Sequence, residues 1–165
     1  MPDEANLLPR IDDQISESRV HELQAPFEVE RPMIQTLLSR PKRDRLFRRA
    51  VLQSYDSRCA VTGWKLINGG GRAEAEAAHI RPVEKGGPDS VQNGIALSGT
   101  LHWMFDRGLI GFSDSLDIII SRHVNDRGSV EAMINPTGKA LAPERLALRP
   151  HPAFLSWHRE HCLKQ

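Results

Sequence analysis

Glu76-Ala77-Ala78-His79-Ile80-Arg81-Pro82 opens the segment that decides this chain's fold. A Gly-rich polar stretch follows it, then Asn93-Gly94-Ile95-Ala96-Leu97-Ser98, then Leu101-His102-Trp103-Met104-Phe105-Asp106. The apolar run that ends at His79 predicts a strand over about Ala73 to Ile80. Pro82, Gly86, Gly87 and Pro88 predict an irregular connection over Arg81 to Gln92. Gly94 to Leu97 predicts a second, shorter strand. Ser98 as N-cap and Gly108 as stop predict a helix over Gly99 to Arg107. Asn93 follows His79 by 14 residues, and His102 follows Asn93 by 9. His102 and Asp106 are four apart, so a helix sets them on one face, one turn from each other. An imidazole and a carboxylate so placed can hold a divalent cation without distorting the helix. With an imidazole at His79 nearby, the set is suited to metal-assisted phosphodiester hydrolysis.

Outward from this segment, Pro41 to about Tyr55 predicts a helix. Leu46, Phe47, Ala50, Val51 and Ser54 line one side, while Lys42, Arg43, Arg45, Arg48 and Arg49 occupy most of the rest. Such a run is either a solvated face or a phosphate grip, and the sequence leaves both open. Cys59 to Trp64 reads as a strand and turn, and Gly69-Gly70-Gly71 as a flexible loop. Leu109 to Phe112 and Leu116 to Ser121 predict a hairpin turned at Ser113-Asp114-Ser115. The end is punctuated by prolines until a last helix from about Ala153. Trp64, Trp103 and Trp157 are expected in the core rather than as base-stacking platforms. His123, His151, His158 and His161 lie outside the motif and are expected to be structural or at the surface.

The chain has 165 residues, 39% hydrophobic and 5% aromatic, enough for one modest core. It contains no run of about 18 apolar residues, and its first residues do not read as a signal peptide, so a cytoplasmic protein with no membrane association is expected. Cys59 and Cys162 lie too far apart in sequence to suggest a disulfide framework, and Cys59 reads as a small buried hydrophobe. The net charge of +1 hides an asymmetry: residues 1–31 carry eight acids against three arginines, a net of −5, which leaves +6 on the remainder. A basic body agrees with a polyanionic substrate. We read residues 1–40 as an acidic leader or linker, with a short helix over Asp12 to Leu23 and an apolar segment at Met33 to Leu38. Residues 41–165 form the functional domain.

The order and spacing of these blocks resembles the HNH (ββα-metal) endonuclease family, in particular the branch found among bacterial restriction and phage-defence nucleases. The blocks that carry the resemblance are Cys59-Ala60-Val61-Thr62-Gly63, Glu76 to Pro82, Asn93 to Leu97, Leu101 to Gly108, and Trp157-His158-Arg159-Glu160 near the end. The resemblance implies an α+β fold, a ββα-metal core with flanking helices and an additional hairpin. It implies His79 as general base, Asn93 as the residue that braces the loop, and His102 with Asp106 as ligands of one divalent ion, Mg²⁺, Mn²⁺, Co²⁺ or Ni²⁺. The products would be 5′-phosphate and 3′-hydroxyl ends.

Two departures stand out. Some members hold a structural zinc with paired cysteines, and Thr62 stands where the second cysteine would be, so no such zinc is expected. Many carry a metal-binding Asp or His immediately before the base histidine, and here that residue is Ala78. Glu76 is the nearest other carboxylate; pairing with an arginine to orient the site is its favoured role. Arg45, Arg48, Arg49 and Arg81 are candidate DNA contacts, and Arg58, Arg72, Arg81 and Arg107 candidate transition-state cations. The expected function is a metal-dependent DNA endonuclease, acting on double-stranded DNA in restriction or defence. A homodimer or partner chain would supply specificity or the second cut. The alternatives are a DNA-binding module with weak or lost turnover, and an RNase or nonspecific nuclease toxin domain.

Overall fold

The computed structural model describes residues 40–165. The acidic leader, the short helix at Asp12 to Leu23 and the apolar segment at Met33 to Leu38 lie outside the described residues. Eight regular elements follow in chain order: α1 (Arg40–Ser54), β1 (Glu76–His79), β2 (Gly94–Leu97), α2 (Gly99–Asp106), β3 (Ile110–Phe112), β4 (Ile118–Ile120), α3 (Arg127–Met133) and α4 (Pro152–His161). β1 and β2 pair antiparallel, Glu76 opposite Leu97 and His79 opposite Gly94, and α2 follows at once. This is the ββα unit, and the architecture is an α+β, ββα-metal fold. β3 and β4 form a second antiparallel pair with Ile110 opposite Ile120, the expected hairpin. No described helix is long and apolar enough to cross a membrane.

The core forms where the apolar side of α1 meets the two central strands. Phe47, Val51 and Leu52 of α1 are buried with Ile95, Ala96 and Leu97 of β2 and with Leu101, Met104 and Phe105 of α2. Ala78 is wholly buried in the same cluster. Gly94 permits this approach: a Cβ there would sit 2.3 Å from Val51 Cγ2 and 3.1 Å from Phe47 Cζ. Because Gly94 is the register partner of His79, the close approach also brings Phe47 over the His79 ring. Their centroids are 3.7 Å apart and the planes differ by 7°. Core packing and the site therefore share one contact.

Several expectations need correction. The strand predicted from Ala73 is shorter, beginning at Glu76; Ala73 makes only an isolated bridge to Ile67. Cys59 to Trp64 is a turn, closed by Cys59 N–H to Trp64 O at 2.9 Å and joined to β2 by Ala60 N–H to Ala96 O at 2.7 Å. Thr62 Oγ1 accepts from Trp64 N at 3.0 Å inside that turn, and Cys59 is wholly buried. Ser98 holds the N-cap position of α2 but makes no side-chain cap bond. Glu74 Oε1 accepts from Gly99 N at 3.0 Å instead, a carboxylate at the positive end of the helix. The Pro-punctuated end contains a helix that the sequence reading lacked, α3, capped by Asp126 accepting from Ser129 N. Trp64 and Trp103 are not core residues; they are 50% and 51% exposed. Trp103 instead lies under the Arg107 guanidinium at 4.4 Å, and Trp157 stacks on His161.

α4 locks the far end of α2. His158 is buried, stacks on Phe105 at 3.8 Å, and donates Nε2–H to the Phe105 carbonyl at 3.0 Å. Its Nδ1 is buried without a hydrogen-bond partner among the described residues. Burial holds the His158 pKa down, from an ordinary 6.5 to about 4, against the opposing pull of the Phe105 carbonyl. The unfolded chain takes up this proton near 6.5 and the folded chain only near 4, so the stability concerned is complete above about 6.5 and is lost as pH falls towards 4. At about 1.4 kcal/mol per pKa unit, acidification from pH 7 to pH 5 is expected to cost about 2 kcal/mol at this residue. Urea unfolding at the two pH values checks it, with His158→Gln flattening the dependence; an equal slope in both proteins would contradict the assignment.

Candidate active site

β1, the loop after it and α2 meet at an open cleft of about 840 Å³. His79 from the end of β1 and His102 and Asp106 from α2 all line it, and α1 contributes Arg43 and Arg48. Ala77 and His79 face this cleft while Ala78 lies in the core, as strand alternation requires. Position 78 thus points away from the cleft, and the alanine there leaves no hole in it.

Asn93 organises the loop. Its side chain is wholly buried, and its Oδ1 accepts from Arg81 N at 2.9 Å. Its Nδ2 donates to the carbonyls of Arg81 and Pro88, both at 2.9 Å. The backbone adds Ile80 N–H to Asn93 O at 2.9 Å. One amide side chain so gathers both sides of a loop that holds two prolines and two adjacent glycines. Gly87 is required by the closure: a Cβ on it would lie 1.8 Å from the Arg81 carbonyl oxygen and 2.8 Å from Asn93 Nδ2.

The loop carries a residue that the sequence reading did not single out. Asp89 Oδ1 lies 2.9 Å from His79 Nε2, and the two side chains are 16% and 21% exposed. In the sequence Asp89 stands in Pro88-Asp89-Ser90, which reads as turn chemistry. Only the loop's closure brings it back to β1.

On α2, His102 Nδ1 lies 2.6 Å from Glu76 Oε2, and its Nε2 lies 3.4 Å from Asp106 Oδ2. Glu76 therefore pairs with His102, not with an arginine as expected. The contact is short because β1 begins beside the first turn of α2. A carboxylate only accepts, so Nδ1 carries the proton in this contact and the Nε2 lone pair faces Asp106. Two electron-rich atoms at that distance match neighbouring ligands of one cation, which at metal–donor distances of about 2.0–2.2 Å lie roughly 3 Å apart. An outer carboxylate on the far ring nitrogen is the usual support for a ligating histidine. The pair fits a divalent ion. No group of three or more His, Cys, Asp or Glu suited to a metal occurs among the described residues, so most of such an ion's shell would come from water and phosphate.

The arginines sort differently from the sequence expectation. Of Arg45, Arg48, Arg49 and Arg81, only Arg48 lines the cleft, with its Nη2 directed at the Ala73 and Ala75 carbonyls at 3.4 and 3.3 Å. Arg45 and Arg49 occupy the exposed side of α1. Arg81 donates Nε–H to Lys85 O at 2.7 Å and lies over Trp157 at 5.4 Å, holding the loop. Arg58, Arg72 and Arg107 do not line the cleft, whereas Arg43 does.

Residues 59–113 match the model of a family described as HNH endonuclease. Among solved structures, a chain described as a modification dependent TagI restriction endonuclease shares the fold, with a TM-score of 0.56 and 23% identity over 71% of this chain. The match covers 37% of that larger protein. No curated protein matches the chain.

Gly87→Ala tests the loop without altering any charged or ligating group. Forcing a methyl against a backbone carbonyl is expected to cost about 1–3 kcal/mol and to loosen the Asn93 bonds. Thermal unfolding and amide exchange at Arg81 would show it. Unchanged stability and protection at Arg81 would mean that the loop is not closed in this way.

Proposed function

Starting from a chain whose residues 59–113 match the HNH endonuclease family, we propose that this protein is a metal-dependent endonuclease that hydrolyses DNA phosphodiester bonds. The observation that carries the reading is the shared cleft: an imidazole on β1 and an imidazole–carboxylate pair on α2 open onto one space. His79 takes a proton from water as the water oxygen bonds to phosphorus. The bond from phosphorus to the 3′ oxygen breaks, leaving a 5′-phosphate and, after protonation by solvent, a 3′-hydroxyl. His102 Nε2 and Asp106 would hold a divalent ion, which when bound would supply positive charge against the phosphate oxygens. Glu76 holds His102 in the ligating tautomer. Arg43 and Arg48 place cationic groups at the wall of the cleft, where they favour a polyanion.

The preference for DNA, and a setting in restriction or defence against foreign DNA, are part of this proposal. They are supported by the HNH endonuclease match and by the fold shared with a restriction endonuclease. A two-donor site also bears on the metal. Ions that accept imidazole readily, Mn²⁺, Co²⁺ and Ni²⁺, should support cleavage at least as well as Mg²⁺, which prefers oxygen.

Supercoiled-plasmid cleavage across these ions, with EDTA as control, checks the reading. His79→Ala is expected to slow cleavage by about 10²–10⁴ at every metal concentration, the usual worth of a general base. Asp106→Ala is expected to raise the metal concentration needed more than it lowers the saturated rate. Cleavage at the wild-type rate by His79→Ala would remove His79 from the mechanism, and cleavage in EDTA would remove the metal.

A further inference from the structure

We propose that Asp89 is a positioning residue that holds His79 as its Nε2–H tautomer, leaving Nδ1 as the nitrogen that receives the proton from water. The inference rests on the reading of His79 as general base, and it adds the acid that gives that base its direction.

Three features of the fold carry it. First, Asp89 Oδ1 lies 2.9 Å from His79 Nε2. A carboxylate offers only lone pairs, so the bond forms only when Nε2 bears the hydrogen. Second, the ring has few other freedoms. Phe47 lies parallel to it at 3.7 Å, which fixes its plane. A half-turn that keeps this stack would put a carbon atom in place of Nε2 and forfeit the bond to Asp89. Third, the backbone that carries the carboxylate is itself held. Asn93 binds the carbonyl of the preceding residue, Pro88, and Gly87 packs against the Arg81 carbonyl, so residue 89 returns to the end of β1.

The consequence is chemical. A neutral imidazole exchanges between two tautomers, and only one leaves a lone pair on Nδ1. Nδ1 makes no hydrogen bond to any described residue, and His79 lines the cleft. With Asp89 in place, the unprotonated nitrogen is the one without a hydrogen-bond partner among the described residues. When the proton arrives, the ring becomes a cation and Asp89 is the counter-charge beside it. Without Asp89, part of the population carries its hydrogen on Nδ1 and cannot take another there.

The test uses the full chain with ¹⁵N-labelled histidine, free of DNA and metal. Long-range ¹H–¹⁵N correlation reads each ring's tautomer, and His79→Ala assigns the signal. The neutral His79 ring is expected as the Nε2–H form in the wild type and as a mixture in Asp89→Ala, with His158 unchanged. Plasmid cleavage by Asp89→Ala should then show a lower kcat, by less than the 10²–10⁴ that the base itself is worth, with the metal and DNA concentrations for half-maximal rate unchanged. A wild-type ring protonated on Nδ1 would overturn the proposal whether or not the variant folds. So would a tautomer indifferent to Asp89, or a shifted tautomer with an unaltered kcat. If the wild type shows the Nε2–H form, lost in Asp89→Ala, yet cuts no DNA with any metal, the nuclease reading falls while the tautomer assignment stands.

Discussion

The buried side chain of Asn93 is the constraint on which the site depends. A segment containing Pro82, Gly86, Gly87 and Pro88 has little capacity to order itself through regular backbone pairing, and its polar groups would otherwise need water. Three hydrogen bonds from one amide close it from inside, gripping Arg81 at one side and Pro88 at the other. Gly94, next in sequence, lets α1 approach closely enough for Phe47 to cover the His79 ring. The two residues of an Asn-Gly pair thus perform separate tasks. One shapes the loop that returns Asp89, and the other admits the helix that holds the imidazole in plane.

Two of the histidines that line the cleft, His79 and His102, are arranged on one principle with opposite outcomes. Each has a carboxylate on one ring nitrogen. Glu76 takes Nδ1 of His102, which turns Nε2 towards Asp106. Asp89 takes Nε2 of His79 and leaves Nδ1 without a partner among the described residues. A pair of imidazoles that would look alike in composition is in this way given opposite tautomers, the ones that the proposed roles of ligand and base need. The third imidazole of the cleft wall, His158, is buried, and its carbonyl partner and desolvated environment keep it neutral and fasten α2 to α4.

Much of this was legible in the sequence because it is local. The spacing of His102 and Asp106 fixes a shared helical face, β2 and α2 follow from pattern and turn signals, and Phe47 and Val51 mark the inner side of α1. What was not legible depends on closure in three dimensions. Asp89 sits among turn residues, and nothing in Pro88-Asp89-Ser90 says which way the loop returns. Glu74 caps α2 from 25 residues away, a position that the local N-cap rule assigns to Ser98. Glu76 was expected to seek an arginine, yet the pairing of β1 with β2 sets it beside His102. Trp103, expected in the core rather than as a base-stacking platform, falls on the outer side of α2, where Arg107 covers it. α3 leaves little signal in the sequence because its helix is short and its cap, Asp126, lies in a polar stretch.

If His102 and Asp106 hold a cation, that cation shares one small space with the imidazole of β1. Paramagnetic broadening of histidine side-chain signals during titration of the full chain with Mn²⁺ tests that claim most directly. The His102 and His79 signals are expected to broaden first and together, with those of His123 and His151 persisting, and Asp106→Ala is expected to abolish the selectivity. Broadening of His102 that spares His79, or selective broadening that begins at His123 or His151, would contradict it.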